Sequence, residues 1–187
     1  MREAGTNVDI AGTPGSAAGV FAALYERHMP AVYRYIHYRV GNVHLTEDLT
    51  STVFEKALTG FRRYRSDQAT FLTWLMAIAR NAVIDHYRRQ GRRQEIALDN
   101  AVDVSSDNLS PEQEAIRNEE LQRLRFCLAK LSLQEQEIVS CKFGAEMKNR
   151  QVAWMLSLSE SNVGTILYRA VRKLRDCFRE WENGKGR

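Results

Sequence analysis

Apolar residues recur at three- and four-residue spacing along much of this 187-residue chain, which is the period of an amphipathic helix. In the first half, the pattern predicts helices over residues 20–40, 46–60 and about 70–90, with Thr46 as the cap of the second and Gly60 at its end. We expect these helices to bury Phe21, Leu24, Tyr25, Val32, Tyr35, Ile36, Val40, Leu49, Val53, Phe54, Ala57, Leu58, Phe71, Trp74, Leu75, Ile78, Ala82 and Val83.

The second half shows the same period and no alternating strand pattern. Leucines at 121, 124, 128 and 131 predict one helix, and residues 134–143 predict another with Ile138, Val139 and Phe143 facing inward. Further helices are predicted over residues 149–156 and from Ser159 onward. The sequence therefore predicts an all-α fold.

The last two helices are separated by a three-residue turn, which is the anatomy of a helix-turn-helix. Ser159 is the expected cap of the second helix, and Ala153 is small where two helices would cross closely. The second helix has an apolar face made of Val163, Ile166, Leu167, Ala170 and Leu174. The motif predicts binding to duplex DNA.

Polar and basic residues follow the exposed side of that second helix. Short polar side chains in the first turns can reach base edges in a major groove, and basic side chains further along suit phosphates. The candidate residues are Ser159, Glu160, Ser161, Asn162, Thr165, Arg169, Arg172 and Lys173.

Charge and composition divide the chain into two basic blocks joined by an acidic segment. Residues 20–95 hold twelve basic and seven acidic side chains, and residues 119–187 hold thirteen basic and nine acidic side chains. Between them the chain is acidic and rich in turn-forming residues. We predict a disordered extension over residues 1–19, helical domains over 20–95 and 112–187, and a flexible linker over 96–111.

The end of the third predicted helix is dense in arginine, with Arg88, Arg89, Arg92 and Arg93 close to His86 and Tyr87. Arginines interleaved with aromatic rings suit phosphate contact together with base stacking. A solvated helix end is the structural alternative, since cations there interact favourably with the helix dipole. The density of arginine favours nucleic acid.

Other features restrict the class of protein. No apolar run approaches the roughly 20 residues that span a bilayer, and no secretory signal is recognisable near Arg2 and Glu3. The three cysteines, Cys127, Cys141 and Cys177, are widely spaced and form no metal motif. We expect three reduced thiols, no disulfide and no metal or other cofactor.

Taken together, the two blocks resemble a bacterial sigma factor of the extracytoplasmic-function (ECF) type, over residues 21–179. Residues 47–50 with Val53 and Phe54 are similar to the family's polymerase-binding helix. Residues 71–75, 78–81 and 85–89 are similar to its promoter-melting helix, and the helix-turn-helix is similar to its C-terminal domain. One departure is Ser157, where the family often has glycine; serine suffices if the backbone there is not strongly left-handed.

The resemblance implies a role for each block. The first block would bind the clamp helices of the largest subunit of core RNA polymerase through Asp48, Thr52 and Glu55. It would also capture the single-stranded minus-ten element, with a flipped base in the loop of residues 65–70. The implied minus-ten residues are Arg65, Ser66, Asp67, Arg80, Asn81, His86, Arg88, Arg89 and Arg92. The second block would read the duplex minus-thirty-five element and bind the flap of the second-largest subunit.

A cytoplasmic, non-enzymatic transcription factor with an anti-sigma partner is therefore the expectation. A free-standing helix-turn-helix regulator is the alternative, although the chain offers no separate dimerisation domain. An enzyme with His44, Glu47 and Asp48 as metal ligands is a third hypothesis, and it lacks a second cluster of ligands.

Overall fold

Residues 17–91 and 110–184 are described by the computed structural model, and they contain helices and connecting turns but no strand. The first block consists of α1 (Ala17–Val40), α2 (Val43–Gly60) and α3 (Phe71–Arg89). The second consists of α4 (Pro111–Ala129), α5 (Leu133–Val139), α6 (Asn149–Leu156) and α7 (Glu160–Glu182). The predicted all-α class and the helix-turn-helix are confirmed. Residues 96–109 of the predicted linker and residues 1–16 of the predicted N-terminal extension lie outside the described residues. Ser110 and Pro111, predicted to belong to the linker, are the cap and the first residue of α4, and α1 begins three residues before the predicted helix.

The core of the first block follows the predicted apolar faces of its three helices, which pack against one another. The most deeply buried positions include Val32, Tyr35, Ile36, Val53, Leu75 and Met76. Tyr25 and Leu58 were predicted to be buried but are 41% and 56% exposed. None of the helices in residues 17–91 or 110–184 has the length and apolar character needed to cross a membrane.

The start of α2 differs from the prediction. Asn42, not Thr46, caps the helix, and its side-chain oxygen accepts a hydrogen bond from the Leu45 amide at 2.8 Å. Thr46 is fully buried inside the helix and donates its hydroxyl hydrogen to the Asn42 carbonyl at 2.6 Å. Asn and Thr are both good caps, so the sequence offered two starts one turn apart. The earlier start moves the acidic residues out of the first turn.

The helix α3 begins and ends close to its predicted limits. Thr70 caps it, accepting a hydrogen bond from the Thr73 amide, and the helix ends at Arg89. Tyr87 is buried and donates its hydroxyl hydrogen to the Arg39 carbonyl at 2.9 Å, so its ring serves the core and is not free to stack on bases. Arg92 and Arg93 lie outside the described residues.

The predicted helix over residues 134–143 is shorter and changes its winding. The helix α5 ends at Val139 and continues as a π-helical turn over Ser140–Gly144. The wider turn rotates Phe143 outward, so this predicted core residue is half exposed, whereas Ile138 and Val139 are buried as expected. Such turns occur often at functional sites.

The helix-turn-helix has the predicted boundaries. Val152 and Ala153 of α6 and Val163 and Ala170 of α7 are buried where the helices meet. Ser157 adopts a left-handed conformation, with φ 55° and ψ 42°, so the condition under which serine was expected to replace glycine is not met. The Leu158 amide then donates to the Ala153 carbonyl at 2.9 Å, which closes the end of α6.

A disulfide corrects the expectation of three reduced thiols. Cys127 of α4 and Cys177 of α7 are bonded, with their Cα atoms 5.8 Å apart. The helices also meet through the rings of Phe126 and Trp181, whose centroids are 5.1 Å apart. The cysteines are 50 residues apart in sequence, and the packing of α4 on α7 brings them together. Cys141 is a buried free thiol.

The two blocks share one continuous hydrophobic core. Residues of α1 and α3 in the first block belong to the same buried cluster as Ile138, Cys141, Ala145, Met147, Val152 and Val163 of the second. The contact is made chiefly between α1 and the π-helical turn, and between α3 and α6. The helix-turn-helix is thereby held against the first block.

Candidate nucleic-acid interface

The exposed stripe of α7 carries the residues predicted to read duplex DNA. Every one of the eight predicted minus-thirty-five residues is exposed. The Ser159 hydroxyl accepts a hydrogen bond from the Asn162 amide at 3.1 Å, which fixes the start of the helix. Asn162, Thr165 and Arg169 are spaced at three and four residues and lie on one side of α7. The geometry suits a recognition helix in a major groove.

Two of the predicted phosphate contacts on α7 already have protein partners. The Lys173 ammonium binds the Glu135 carboxylate of α5 at 2.8 Å, and Arg172 lies 3.9 Å from Asp176. Burial of the Glu135 carboxylate acts to raise its pKa, but the hydrogen bonds from Lys173 and Ser132 together outweigh burial and lower the pKa. Lys173 therefore stabilises the fold, and its contact with DNA stays a prediction.

Tyr168 was missed by sequence reasoning. It is 68% exposed and lies one turn after Thr165, on the side of α7 that carries the predicted DNA contacts. Its spacing from Thr165 was the available signal, but a tyrosine in a helix is usually assigned to a core. An exposed tyrosine there can contact phosphate or a base edge.

The loop of residues 65–70, predicted to hold a flipped base, borders an open cleft of about 660 Å³. Ser66 and Asp67 line the cleft, whereas Arg65 is exposed and lies 3.7 Å from Asp67. The opposite wall comes from the second block and includes Trp154 of α6, which sequence reasoning also missed. The Gln151 amide of α6 donates to the Thr70 hydroxyl at 3.1 Å across the entrance.

The remaining predicted minus-ten residues that the structure describes lie along α3, and Arg92 is outside the described residues. Asn81, Arg88 and Arg89 are exposed, and Arg88 forms an ion pair with Asp85 at 2.9 Å. Burial, together with the nearby Arg89 charge, lowers the pKa of His86, so its ring is neutral at neutral pH. Arg80 differs from the others, because its guanidinium faces Glu137 of the second block at 3.9 Å.

The predicted polymerase-binding residues share one face of α2. Asp48 and Glu55 are exposed, and Thr52 between them donates its hydroxyl hydrogen to the Asp48 carbonyl at 2.9 Å. Leu58 continues this face one turn further and is 56% exposed, although its spacing suggested a core residue. The face therefore combines carboxylates with an exposed apolar side chain.

The residues considered as metal ligands do not form a site. His44 and Glu47 are 3.9 Å apart at the exposed start of α2, and their side chains are largely in solvent. Within residues 17–91 and 110–184 no group of three or more potential ligands comes together.

Comparison with known sequence families assigns both blocks. Residues 24–93 match Sigma-70 region 2, and residues 121–174 match Sigma-70, region 4. The chain is 30% identical to the RNA polymerase sigma factor YlaC of Bacillus subtilis, over 81% of this chain and 88% of that protein. It is 34% identical to the ECF RNA polymerase sigma factor BldN of Streptomyces coelicolor, over 84% of this chain and 60% of that protein.

Solved structures share the fold. CnrH, in complex with the cytosolic domain of CnrY, superposes with a TM-score of 0.64 at 23% identity, over 86% of this chain and 88% of that one. The sigma factor RpoE of Bartonella quintana, in complex with the anti-sigma factor NepR, superposes with a TM-score of 0.65 at 18% identity, over 86% of this chain and 97% of that one.

The chain carries two sigma-70 regions in this order on a helical fold with an exposed polar helix. This combination defines a protein that recognises promoters. The chain belongs to the RNA polymerase sigma factors of the ECF type. Proteins of this family direct RNA polymerase to promoters, and the predicted family and function are confirmed.

Proposed function

We propose that this sigma factor binds core RNA polymerase through α2, reads a duplex minus-thirty-five element with α7, and captures the melted minus-ten strand with α3 and the loop of residues 65–70. The observation that carries the proposal is the exposed polar and basic stripe of α7, in a chain that also matches sigma-70 region 2. Two weak DNA-binding modules on one chain raise each other's effective concentration.

Duplex recognition is assigned to the stripe of α7. Asn162 and Thr165 are short enough to reach base edges from the first turns, and Arg169 and Tyr168 follow where the phosphate backbone would run. The remaining members of this assignment are Ser159, Glu160, Ser161, Arg172 and Lys173.

Capture of the minus-ten strand is assigned to the first block. Ser66 and Asp67 offer hydrogen-bonding groups to a flipped base, and these contacts must offset the few kcal/mol needed to unstack it. Arg88 and Arg89, with Asn81 and the neutral ring of His86, would hold the strand by charge and hydrogen bonds. Arg65, Arg80 and Arg92 complete this assignment.

Polymerase binding is assigned to the exposed face of α2. Asp48, Thr52 and Glu55 supply polar contacts to the clamp helices of the largest subunit, and Leu58 adds an apolar contact. The helix-turn-helix block would bind the flap of the second-largest subunit.

The protein works without a cofactor or catalytic residues of its own, in the cytoplasm where the polymerase is found. An anti-sigma protein is the expected inhibitor, since CnrH and RpoE, which share the fold, were each solved with a second protein and NepR is an anti-sigma factor. Such an inhibitor would cover the polymerase-binding or DNA-binding faces.

Run-off transcription tests the proposal. Purified core polymerase is incubated with a pool of genomic promoter fragments, with and without the protein. We expect new specific transcripts that require the protein, and their start sites to share two upstream elements. Absence of transcripts, together with tight duplex binding by the protein alone, would instead indicate a free-standing regulator.

A further inference from the structure

The cleft beside the loop of residues 65–70 has walls to which the proposed function assigns no role. Arg27 of α1 lines it, together with Lys148, which precedes α6, and Arg150 and Trp154 of that helix. The volume of about 660 Å³ lies within the range of roughly 300–1,000 Å³ that is typical of small-molecule sites. The cleft is therefore large enough to hold a ligand of nucleotide size.

The lining of the cleft is positively charged. Three exposed cations contribute to it, Arg27, Lys148 and Arg150. The one carboxylate that the structure describes on its walls is Asp67, which already lies 3.7 Å from Arg65. In the part of the chain that the structure describes, none of the three cations has an ion-pair partner. Because cations on the walls of a cleft concentrate the field there, the cleft suits a ligand with several negative charges.

An aromatic ring is also available in the cleft. Trp154 is 51% exposed, and no other aromatic ring among the described residues packs against it. Tyr64 also lines the cleft, but its ring centroid lies 5.4 Å from that of Phe71 and its hydroxyl donates to the Ala69 carbonyl at 3.0 Å. Exposed aromatic side chains stack on the bases of nucleic acids, whatever the base. Trp154 therefore suits the base of a nucleotide, beside cations that suit its phosphates.

Contact with the backbone of duplex DNA is the competing explanation for these cations. The helix α6 is the first helix of the helix-turn-helix, and such helices cross the DNA backbone. Two observations favour a small ligand instead. Arg27 belongs to the first block, outside the helix-turn-helix, yet lines the same cleft as Arg150. The second observation is the exposed ring of Trp154, which contact with phosphates does not require.

We propose that the cleft binds a purine nucleotide carrying several phosphates, with its base against Trp154 and its phosphates near Arg27, Lys148 and Arg150. The nucleotide is an effector, and no bond is formed or broken. Ser66 and Asp67 line the same cleft, so the nucleotide and the minus-ten strand would compete for it. The competition alone rests on the proposed function, whereas the site rests on the lining of the cleft.

Isothermal titration calorimetry of the full-length chain measures binding directly. The probes are GTP, ATP, inorganic tripolyphosphate and guanosine, each in the absence of divalent metal ions. We expect GTP or ATP to bind about tenfold more tightly than tripolyphosphate, which has the charge but no base to stack. Guanosine has the base without the charge, and we expect it to bind more weakly than either nucleotide.

Two variants separate the charge of the site from its stacking face. Lys148→Gln combined with Arg150→Gln should weaken the binding of nucleotide and of tripolyphosphate alike, by about tenfold. Trp154→Ala should weaken nucleotide binding by about tenfold and leave tripolyphosphate binding unchanged. Arg179→Gln is the matched control, because Arg179 is exposed in the last turn of α7 and does not line the cleft. Circular dichroism verifies that each variant is folded.

Three results would overturn the site. The first is the absence of binding by GTP and ATP, and the second is equal nucleotide affinity in the wild type and both cleft variants. The third is tripolyphosphate binding as tight as that of the nucleotides, which would indicate a site for anions alone. If no nucleotide binds and the double variant loses affinity for duplex DNA, the cations belong to the DNA backbone contact.

Displacement of a labelled oligonucleotide tests the competition. The oligonucleotide is the single-stranded minus-ten element of a promoter identified by run-off transcription, and fluorescence anisotropy follows its release. We expect the tighter nucleotide to displace it from the wild type at a concentration that leaves it bound to the Trp154→Ala variant. Nucleotide binding without displacement would overturn the competition and leave the site intact. An oligonucleotide that binds to neither protein would overturn the minus-ten assignment and not the nucleotide site.

Discussion

Individual side chains on α7 have roles that experiments can separate, because some face only solvent and others are tied to the fold. Asn162 and Thr165 are exposed on the recognition stripe, whereas Lys173 binds a carboxylate of α5. A residue that reads bases affects discrimination between sequences, and one that supports the fold affects stability. Two substitutions test this distinction.

Replacing Asn162 by Ala is expected to relax base preference at one position of the minus-thirty-five element. A good contact to a base edge contributes about 1–3 kcal/mol of discrimination. The measurement is duplex affinity against a set of single-base variants, with Arg169→Ala as the comparison that removes a phosphate contact. Equal weakening by Asn162→Ala on every sequence would contradict base recognition.

Replacing Lys173 by Met is expected to destabilise the protein at neutral pH by no more than about 1 kcal/mol, since the ammonium is 55% exposed. The folded-state pKa of Glu135 lies below its usual 4.5, so its contribution is present above that value and is lost as the pH falls through the lowered pKa. The difference from wild type should therefore shrink in urea unfolding at about pH 4. A difference independent of pH, or the same pH dependence in Arg172→Met, would contradict this pairing.

The local sequence predicted the helices and turns better than any other part of the fold. The wrong predictions of helix starts and buried residues have identifiable causes. The limits of α6 and the start of α7 are as predicted, because apolar stripes specify both helices locally and a serine caps α7. The start of α2 was wrong because Asn42 and Thr46 are both competent caps. The outward rotation of Phe143 depends on a π-helical turn, and helical periodicity assumes uniform winding.

Replacing Ser157 by Gly is expected to stabilise the protein by up to about 1 kcal/mol. A left-handed backbone is strained for residues with a Cβ atom and unstrained for glycine. Urea unfolding measures the change, and Ser51→Gly in the exposed interior of α2 is the matched control, expected to destabilise by roughly 0.5–1 kcal/mol. Equal destabilisation by both substitutions would contradict the left-handed turn.

Reducing the Cys127–Cys177 disulfide is expected to lower the free energy of unfolding. The bond joins residues 50 positions apart, for which the chain-entropy estimate is about 4 kcal/mol. The measurement compares urea unfolding with and without dithiothreitol, and a Cys127→Ser, Cys177→Ser double variant should not respond to the reductant. Alkylation of all three cysteines in the denatured, non-reduced protein would contradict the bond.

The packing of the helices into one molecule was the part of the structure that the sequence predicted least well. Hydrophobic periodicity shows which face of a helix is buried but not against which partner, so two blocks were predicted and their shared core was not. The disulfide joins Cys127 to Cys177, and a hydrogen bond joins the Tyr35 hydroxyl to Glu137. Both connect residues that are far apart in sequence. The family and the exposure of the polar stripe of α7 were predictable, because they depend on local motifs.

We propose that one chain both directs polymerase to a promoter and holds the melted strand of that promoter. Permanganate oxidises thymines that are unstacked, and mapping them on a promoter with core polymerase tests the claim most directly. We expect reactive thymines in the minus-ten element only when the protein is present, and weaker reactivity with an Arg88→Ala, Arg89→Ala variant, which loses phosphate contacts. Reactive thymines without the protein, or undiminished reactivity with the variant, would contradict the account.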